Sequence, residues 1–234
     1  MRDILIDGLP ILDLLEVTPS TGNVATLANC DQSSVSRLYR HVSTSLQLGF
    51  RKRNGTYRAH TNQELLASLR QAAQLLRLQR GAESLQWVGS RWNGAALAHL
   101  SDHSPLPRPW GGERRTHELL AARVLDLAVV DLADAIPDPR LWSAVPLAHY
   151  PAGLRPVLAS LQAPGCRPDR RAQSHPDPEP ESAIDTLQAN RGTVTDVALV
   201  RTDHRNRPAI QALITALQRA YRQAYGHLNG IRWP

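Results

Sequence analysis

The chain has two cysteines in 234 residues, Cys30 and Cys166, and they stand in dissimilar surroundings. That is no disulfide framework; it predicts two free thiols in a reducing compartment. No apolar run approaches the roughly 20 residues a membrane span needs, so a membrane partner is not expected. The apolar opening ILIDGLPILDLLEV is interrupted by Asp7, Gly8, Pro10 and Asp13, and it lacks a basic start and a small-residue cleavage site. It is therefore not read as a secretory signal, and a cytoplasmic chain is expected. There is no phosphate-cradling glycine loop and no nucleophile elbow. His99 and His103 have i, i+4 spacing with Asp102 between them, but a metal site needs at least one more ligand nearby. The composition thus points away from an enzyme, and no metal or cofactor is expected.

Acidic residues are scarce in one stretch in particular. The net charge is +6, yet residues 32–80 hold nine cations against a single anion, Glu64, for a local net of +8. Residues 1–31 carry −4. A basic stretch this abrupt predicts a polyanionic partner. It begins at CDQSSVSRLYRHV, residues 30–42. Wound as a helix, Val35, Leu38, Tyr39 and Val42 gather on one face, while Ser33, Arg37 and Arg40 gather opposite. Taken alone, that polar face fits an ordinary solvated surface as well as an interaction surface.

The neighbouring segments decide between them. Residues 9–17, LPILDLLEV, read as a short amphipathic helix with Leu9, Ile11, Leu12, Leu15 and Val17 apolar. TPSTGN is a turn cluster. Ser20 or Thr21 is placed to cap a second helix over about 23–30, and Asp31 to cap a third. Two short helices joined by a tight turn form a helix-turn-helix pattern. In QLGFRKRNGTYRAHT, Asn54-Gly55 marks a two-residue hairpin, because both central positions need positive φ. The hairpin carries Arg51, Lys52, Arg53 and Arg58, as a basic wing would. Residues 61–80 predict a helix of about 30 Å, opened by a Thr61/Glu64 capping box. Leu65, Leu69, Ala72 and Leu76 make a coiled-coil-like seam on it, widened by Leu66, Ala73 and Leu75.

Residues 9–80 resemble the DNA-binding region of LysR-type transcriptional regulators, a winged helix-turn-helix followed by a long dimerisation helix. The family motif runs Ser-Phe-Thr, Ala-Ala, two variable residues, Leu, then Ser-Gln-x-x-(Leu/Val)-Ser-Arg. Here Ser20, Ala25, Gln32, Val35, Ser36 and Arg37 fall on it, and Leu46, Arg53 and Thr61 follow in register without a gap. Val24, Ala28, Asp31, Ser43, Gln47, Arg51 and His60 depart from the pattern. Cys30 stands where the family has a core aliphatic residue, which implies a buried thiol.

The resemblance implies a mainly α winged helix-turn-helix domain over 1–60, a linker and dimerisation helix over 61–82, and a reduced α/β periplasmic-binding-protein-like domain over 83–234. Within the last, LQWVGSR (85–91) would be an opening strand, with a helix near 94–100. HELLAARVLDLAVVD (117–131) resembles the family's helix and strand, with Asp126 in the Leu-Asp-Leu-Ala segment and Arg123 where Gly is frequent. LWSAVPLAHY and VTDVALVRT are candidate strands, and residues 207–225 an amphipathic helix. The proline-rich 163–182 reads as a flexible segment, and the second lobe is shortened. The implied partners are double-stranded DNA and a second copy of the chain, as a dimer or tetramer through 61–80. The implied DNA contacts are Gln32, Ser33, Ser36, Arg37 and Arg40 in the major groove, with Arg51, Arg53, Thr56 and Arg58 on the backbone. Ser90 and Asp131 lie at strand ends where effector pockets of this family gather. The competing expectation is an interaction protein that dimerises and modulates another regulator with little DNA affinity of its own.

Overall fold

The computed structural model describes residues 8–18, 20–89, 96, 113–135, 138–161 and 192–234. Helix α1 spans Leu9–Val17, with Pro10 in the first turn, where a missing N–H breaks no intrahelical bond. Helix α2 is Thr21–Leu27. It starts earlier than the pattern predicts because the Ser20 hydroxyl accepts from the Asn23 N–H at 3.3 Å. It also ends earlier, because Asn29 turns into the left-handed region at φ 47°. Helix α3 is Gln32–Ser45, capped as expected by Asp31, whose carboxylate accepts from the Ser34 N–H at 2.7 Å.

Strands β1 (Arg51–Arg53) and β2 (Thr56–Arg58) pair antiparallel, Arg51 opposite Arg58. Asn54 and Gly55 both take positive φ, 49° and 79°, as a type I′ turn requires. The hairpin stands on an aromatic cluster. Phe50 stacks on Tyr57 with ring centroids 5.9 Å apart, and Tyr39 meets Tyr57 edge-on at 5.7 Å. Leu9, Leu12, Leu15, Val35, Leu38, Val42 and Leu48 complete this first core.

Helix α4 is Gln63–Arg80. The Thr61/Glu64 capping box does not form. The Thr61 hydroxyl donates instead to the Gln47 carbonyl at 2.5 Å, and Asn62, at φ 47°, donates to the Leu46 carbonyl at 3.0 Å. A tertiary tie to the end of α3 has displaced the local cap. At 1.5 Å per residue α4 is about 27 Å long. Leu66 belongs to the first core and Leu78 to a second, so the helix bridges two packed units.

The second unit holds a four-stranded sheet of order β3-β4-β6-β5, with β3 Trp87–Val88, β4 Leu127–Asp131, β5 Trp142–Pro151 and β6 Thr193–Arg201. β3 and β4 run parallel; β6 is antiparallel to both of its neighbours. Along β4 and β6 alternate residues face opposite layers. Leu127, Val129, Ala198 and Val200 pack under α7 (Pro208–Tyr225), through Ile210, Leu213, Ile214, Leu217 and Tyr221. Ala128, Val130, Val197 and Leu199 pack under α5 (Glu113–Ala121), through Leu119 and Leu120. A short helix, α6 (Arg155–Ser160), follows β5. Val17, at the end of α1, joins the core under α5, so the two units touch directly as well as through α4. The expected helix near 94–100 (apart from Ala96), Ser90, the pair His99 and His103, Cys166 and the proline-rich 163–182 lie outside the described residues. Among the described residues no helix is long and apolar enough to cross a membrane.

Candidate nucleic-acid interface

Val35, Leu38 and Val42 bury the inner face of α3, with Tyr39 half-buried beside them. The opposite face presents Gln32, Ser33, Arg37 and Arg40 to solvent, with Ser36 half-buried at its margin. These groups are tied to one another. The Ser33 and Ser34 hydroxyls donate to Asp31 at 2.5 and 2.6 Å, and the Arg37 guanidinium donates to both hydroxyls at 3.3 Å. The Ser33 hydroxyl, then that of Ser34 and its N–H, hold the Asp31 carboxyl well below the usual carboxylate range. The Gln32 amide donates to Thr21 on α2 at 2.9 Å, which fixes the outer helix against its partner. Arg40 lies over the Tyr39 ring, 5.9 Å from its centroid. A short-residue rim with two long cations, held in place before any ligand arrives, suits close approach to a polar surface.

In the hairpin, Arg51, Lys52 and Arg53 are exposed, and the Thr56 hydroxyl donates back to the Arg53 carbonyl at 3.2 Å across the tip. Lys52 sits over Tyr57, 5.9 Å from the ring centroid. Arg58 differs from the other candidates: it pairs with Glu118 of α5. Cys30, expected in the core, is exposed, because the Asn29 turn lifts it out ahead of Asp31.

Two buried polar groups behind this face were not foreseen. Arg70 of α4 donates to Asp13 at 2.8 Å and to Glu16 at 3.0 Å, and so fastens α1 to α4. Burial pushes the Asp13 carboxyl above its ordinary value, against the pull of Arg70. One turn on, Gln74 and Arg77 reach the second unit. Asp126 accepts from the Gln74 amide at 2.9 Å, from Arg77 at 2.8 Å and from the Gln86 N–H at 2.8 Å. Because the Gln74 amide nitrogen faces a carboxylate, its oxygen faces outward and accepts from Arg123 at 2.7 Å. His204 Nε2 lies 3.1 Å from the same oxygen, so that nitrogen carries the proton. Leu66, Arg70, Gln74 and Leu78 recur every four residues, and this stripe was the signal that the helix's buried face runs on through its polar residues.

The apolar seam predicted on α4 is open only in part: Leu65, Ala72, Leu75 and Leu76 are exposed, while Leu69 and Ala73 are half-buried against the first core and Leu66 lies inside it. In the second unit, Asp131 is engaged by the chain itself, pairing with Arg155 and accepting from the Ala133 N–H at 3.1 Å. Among the described residues there is no group of three His, Cys, Asp or Glu side chains that could hold a metal.

No family model and no curated protein matches the chain. Solved structures similar to it include a full-length OxyR from Pseudomonas aeruginosa, at 13% identity and TM-score 0.46, covering 96% of each chain. An OxyR from Corynebacterium glutamicum is similar at 13% identity and TM-score 0.44, covering 97% of this chain and 95% of that one. The full-length LysR-type regulator LysG of the same organism, with arginine bound as effector, is similar at 13% identity and TM-score 0.37, covering 93% and 99%.

Proposed function

We propose that this chain is a sequence-specific, DNA-binding transcriptional regulator of LysR type that acts as a homo-oligomer. The observation that carries the proposal is the outer face of α3, where Gln32, Ser33, Arg37 and Arg40 stand exposed and mutually braced beside a basic hairpin. Double-stranded DNA is the polyanion such a face suits. A helix of this width enters the major groove, where Arg pairs with guanine and Gln with adenine through two hydrogen bonds each. Ser33 and Ser36 are short enough to let the helix backbone come close. Arg51, Arg53 and Thr56, with Arg58 at the base of the hairpin, hold the phosphates and fix the register. The seam of Leu65, Leu69, Ala72 and Leu76 on α4 joins two copies, so that two recognition helices address two half-sites. The sheet-containing unit is a reduced periplasmic-binding-protein-like domain; any effector acting through Ser90 and Asp131 has to displace Arg155 from Asp131.

The test is binding to a fluorescent duplex from the region upstream of the coding sequence, beside a scrambled duplex, over a salt series. Selective binding that weakens steeply with salt is expected. Arg37→Ala is expected to lose about 1–3 kcal/mol of specific affinity, and Arg37→Ala with Arg40→Ala to abolish selectivity. Unchanged selectivity in the double variant would remove α3 as the reading element. No binding to either duplex at low salt would leave a dimerising interaction protein in its place.

A further inference from the structure

Arg58 of the hairpin reaches across to the second unit, where its partner is an acid. It sits at the base of β2, and Glu118, its partner, is on α5 of the other packed unit, 60 residues away in sequence. The acid is held in position by its neighbours: Leu119 and Leu120 are buried in the core that also takes Val17 of α1. Both members of the pair are about half exposed, with side chains at 52% and 56%. Between β2, α4 and α5 runs a groove of about 440 Å³, lined by Arg58, Ala59, Leu66, Arg70, Glu118 and Ala122. Arg58 therefore has room to swing away from Glu118 without unpacking either core. Glu16, the other acid on the groove, is occupied by Arg70 at 3.0 Å.

We infer that Glu118 is an internal competitor for DNA phosphate: it occupies Arg58 in the free protein, and DNA binding must break that pair. The inference rests on the proposed DNA-binding function. It makes the packing of α5 against the helix-turn-helix unit a setting for DNA affinity. While α5 stays docked, one wing cation is neutralised; any shift of α5 that withdraws Glu118 frees that cation. The competition is a charge exchange in solvent, so its size is that of an exposed ion pair. It is graded and salt-dependent, unlike a closed gate. The same geometry sets a rival role for Glu118 against this one. Arg51 and Arg58 are directly opposed across the hairpin, and like charges so placed repel. If Glu118 only relieved that repulsion, its loss would loosen the wing and weaken DNA binding, the opposite of what competition requires.

The experiment measures duplex affinity over a salt series for the full chain and for Glu118→Gln, Arg58→Gln, the two combined, and Arg37→Ala with Arg40→Ala. Glu118→Gln is expected to bind about two- to five-fold more tightly, the scale of one exposed ion pair released per chain. Its plot of log affinity against log salt should steepen by less than about 0.9 per chain, the part of one phosphate contact that the pair withholds in the parent. Arg58→Gln should weaken and flatten the plot, and adding Glu118→Gln to it should change nothing. A gain that persists in the Arg58→Gln background would overturn the inference, because it would be a general effect of removing an anion. So would weaker binding by Glu118→Gln, or unchanged binding while the α3 double variant still loses selectivity; that last result leaves the DNA-binding function standing. Failure of every variant to bind at low salt would end both.

Discussion

Arg70→Met is the perturbation that most directly tests how the helix-turn-helix unit is fastened to α4. Arg70 is 5% exposed and Asp13 3%, so the group joining α1 to α4 is an ion cluster out of contact with water. Methionine keeps the length and much of the packing of the arginine stem and removes the charge. What remains is two carboxylates, Asp13 and Glu16, that have lost the 2.8 and 3.0 Å bonds holding them in the interior. Breaking a buried pair from one side costs about 3–5 kcal/mol, against a total stability on the order of 5–15 kcal/mol. Urea unfolding followed by far-ultraviolet circular dichroism reads this directly as a lower midpoint. The pH dependence gives the cause. Burial already places the folded Asp13 carboxyl above its ordinary value, and Arg70 opposes that shift. Without Arg70 it rises further, and the folded variant binds a proton that the unfolded chain has lost. The deficit at pH 7 should therefore shrink as pH falls toward 5. Arg70→Met combined with Asp13→Leu and Glu16→Met should return to within about 1 kcal/mol of the parent or exceed it. A single variant within 1 kcal/mol of the parent at pH 7, or a deficit that widens on acidification, would refute the reasoning.

Three further outcomes follow from the second unit and the open seam. Asp196 is buried under α7 and accepts from the Tyr150 and Tyr221 hydroxyls at 3.0 and 3.1 Å; burial pushes its carboxyl up to about 6. Its folded value lies above its unfolded one, so it contributes stability at low pH that is lost as pH rises through 6. Asp196→Asn should remove about 2 kcal/mol of pH dependence between pH 4 and 7; an unchanged profile counts against an ionisable Asp196. Burial first, with Arg123, Arg201 and Arg207 adding to it against Asp203, lowers the His204 pKa. Unfolded chain then binds the proton more readily, so this group costs stability as pH falls below 6.5; nitrogen-15 spectra should show the Nε2–H tautomer, and an Nδ1–H form would reverse the hydrogen-bond order at Gln74. Leu65→Asp with Leu76→Asp should lower the solution mass to that of one chain by light scattering, and a persistent dimer would place the interface off this seam.

Most of the first unit was legible because its signals are local. Asp31 as a cap, Asn54-Gly55 as a turn and the apolar spacing of residues 9–17 each need only residues within about four positions. Thr61 and Glu64 were equally local and still misled, since the left-handed Asn62, not Thr61, stands at the helix start, and the Thr61 hydroxyl is turned to the Gln47 carbonyl, 14 residues away. The wing's packing was legible only in part: Phe50 and Tyr57 are visible in sequence, but their stacking depends on the register that the turn imposes. In the second unit, β5, β6 and α7 stood out by pattern. Asp196, His204 and the partners of Asp126 did not, because a polar residue reads as surface until its partner is known. Gln74 lies 52 residues from Asp126 and 130 from His204, distances at which no spacing rule operates.

The same long-range pairing changes what the basic stretch means. Counted by charge alone, its nine cations would allow up to nine phosphate contacts. Arg70 is enclosed by Asp13 and Glu16, Arg77 is bonded to Asp126, and Arg58 is paired with Glu118. Arg37, Arg40, Arg51, Lys52, Arg53 and Arg80 remain exposed, and Arg80 stands at the far end of α4, away from the hairpin. Five cations per chain, and Arg58 in so far as DNA frees it from Glu118, can then share one DNA surface, which limits the slope of log affinity against log salt to about −4.5 to −5.4 per chain. The full stretch would give about −8 by the same rule. The charge that drew attention to residues 32–80 therefore has two uses, and a third of its cations are paired within the protein itself.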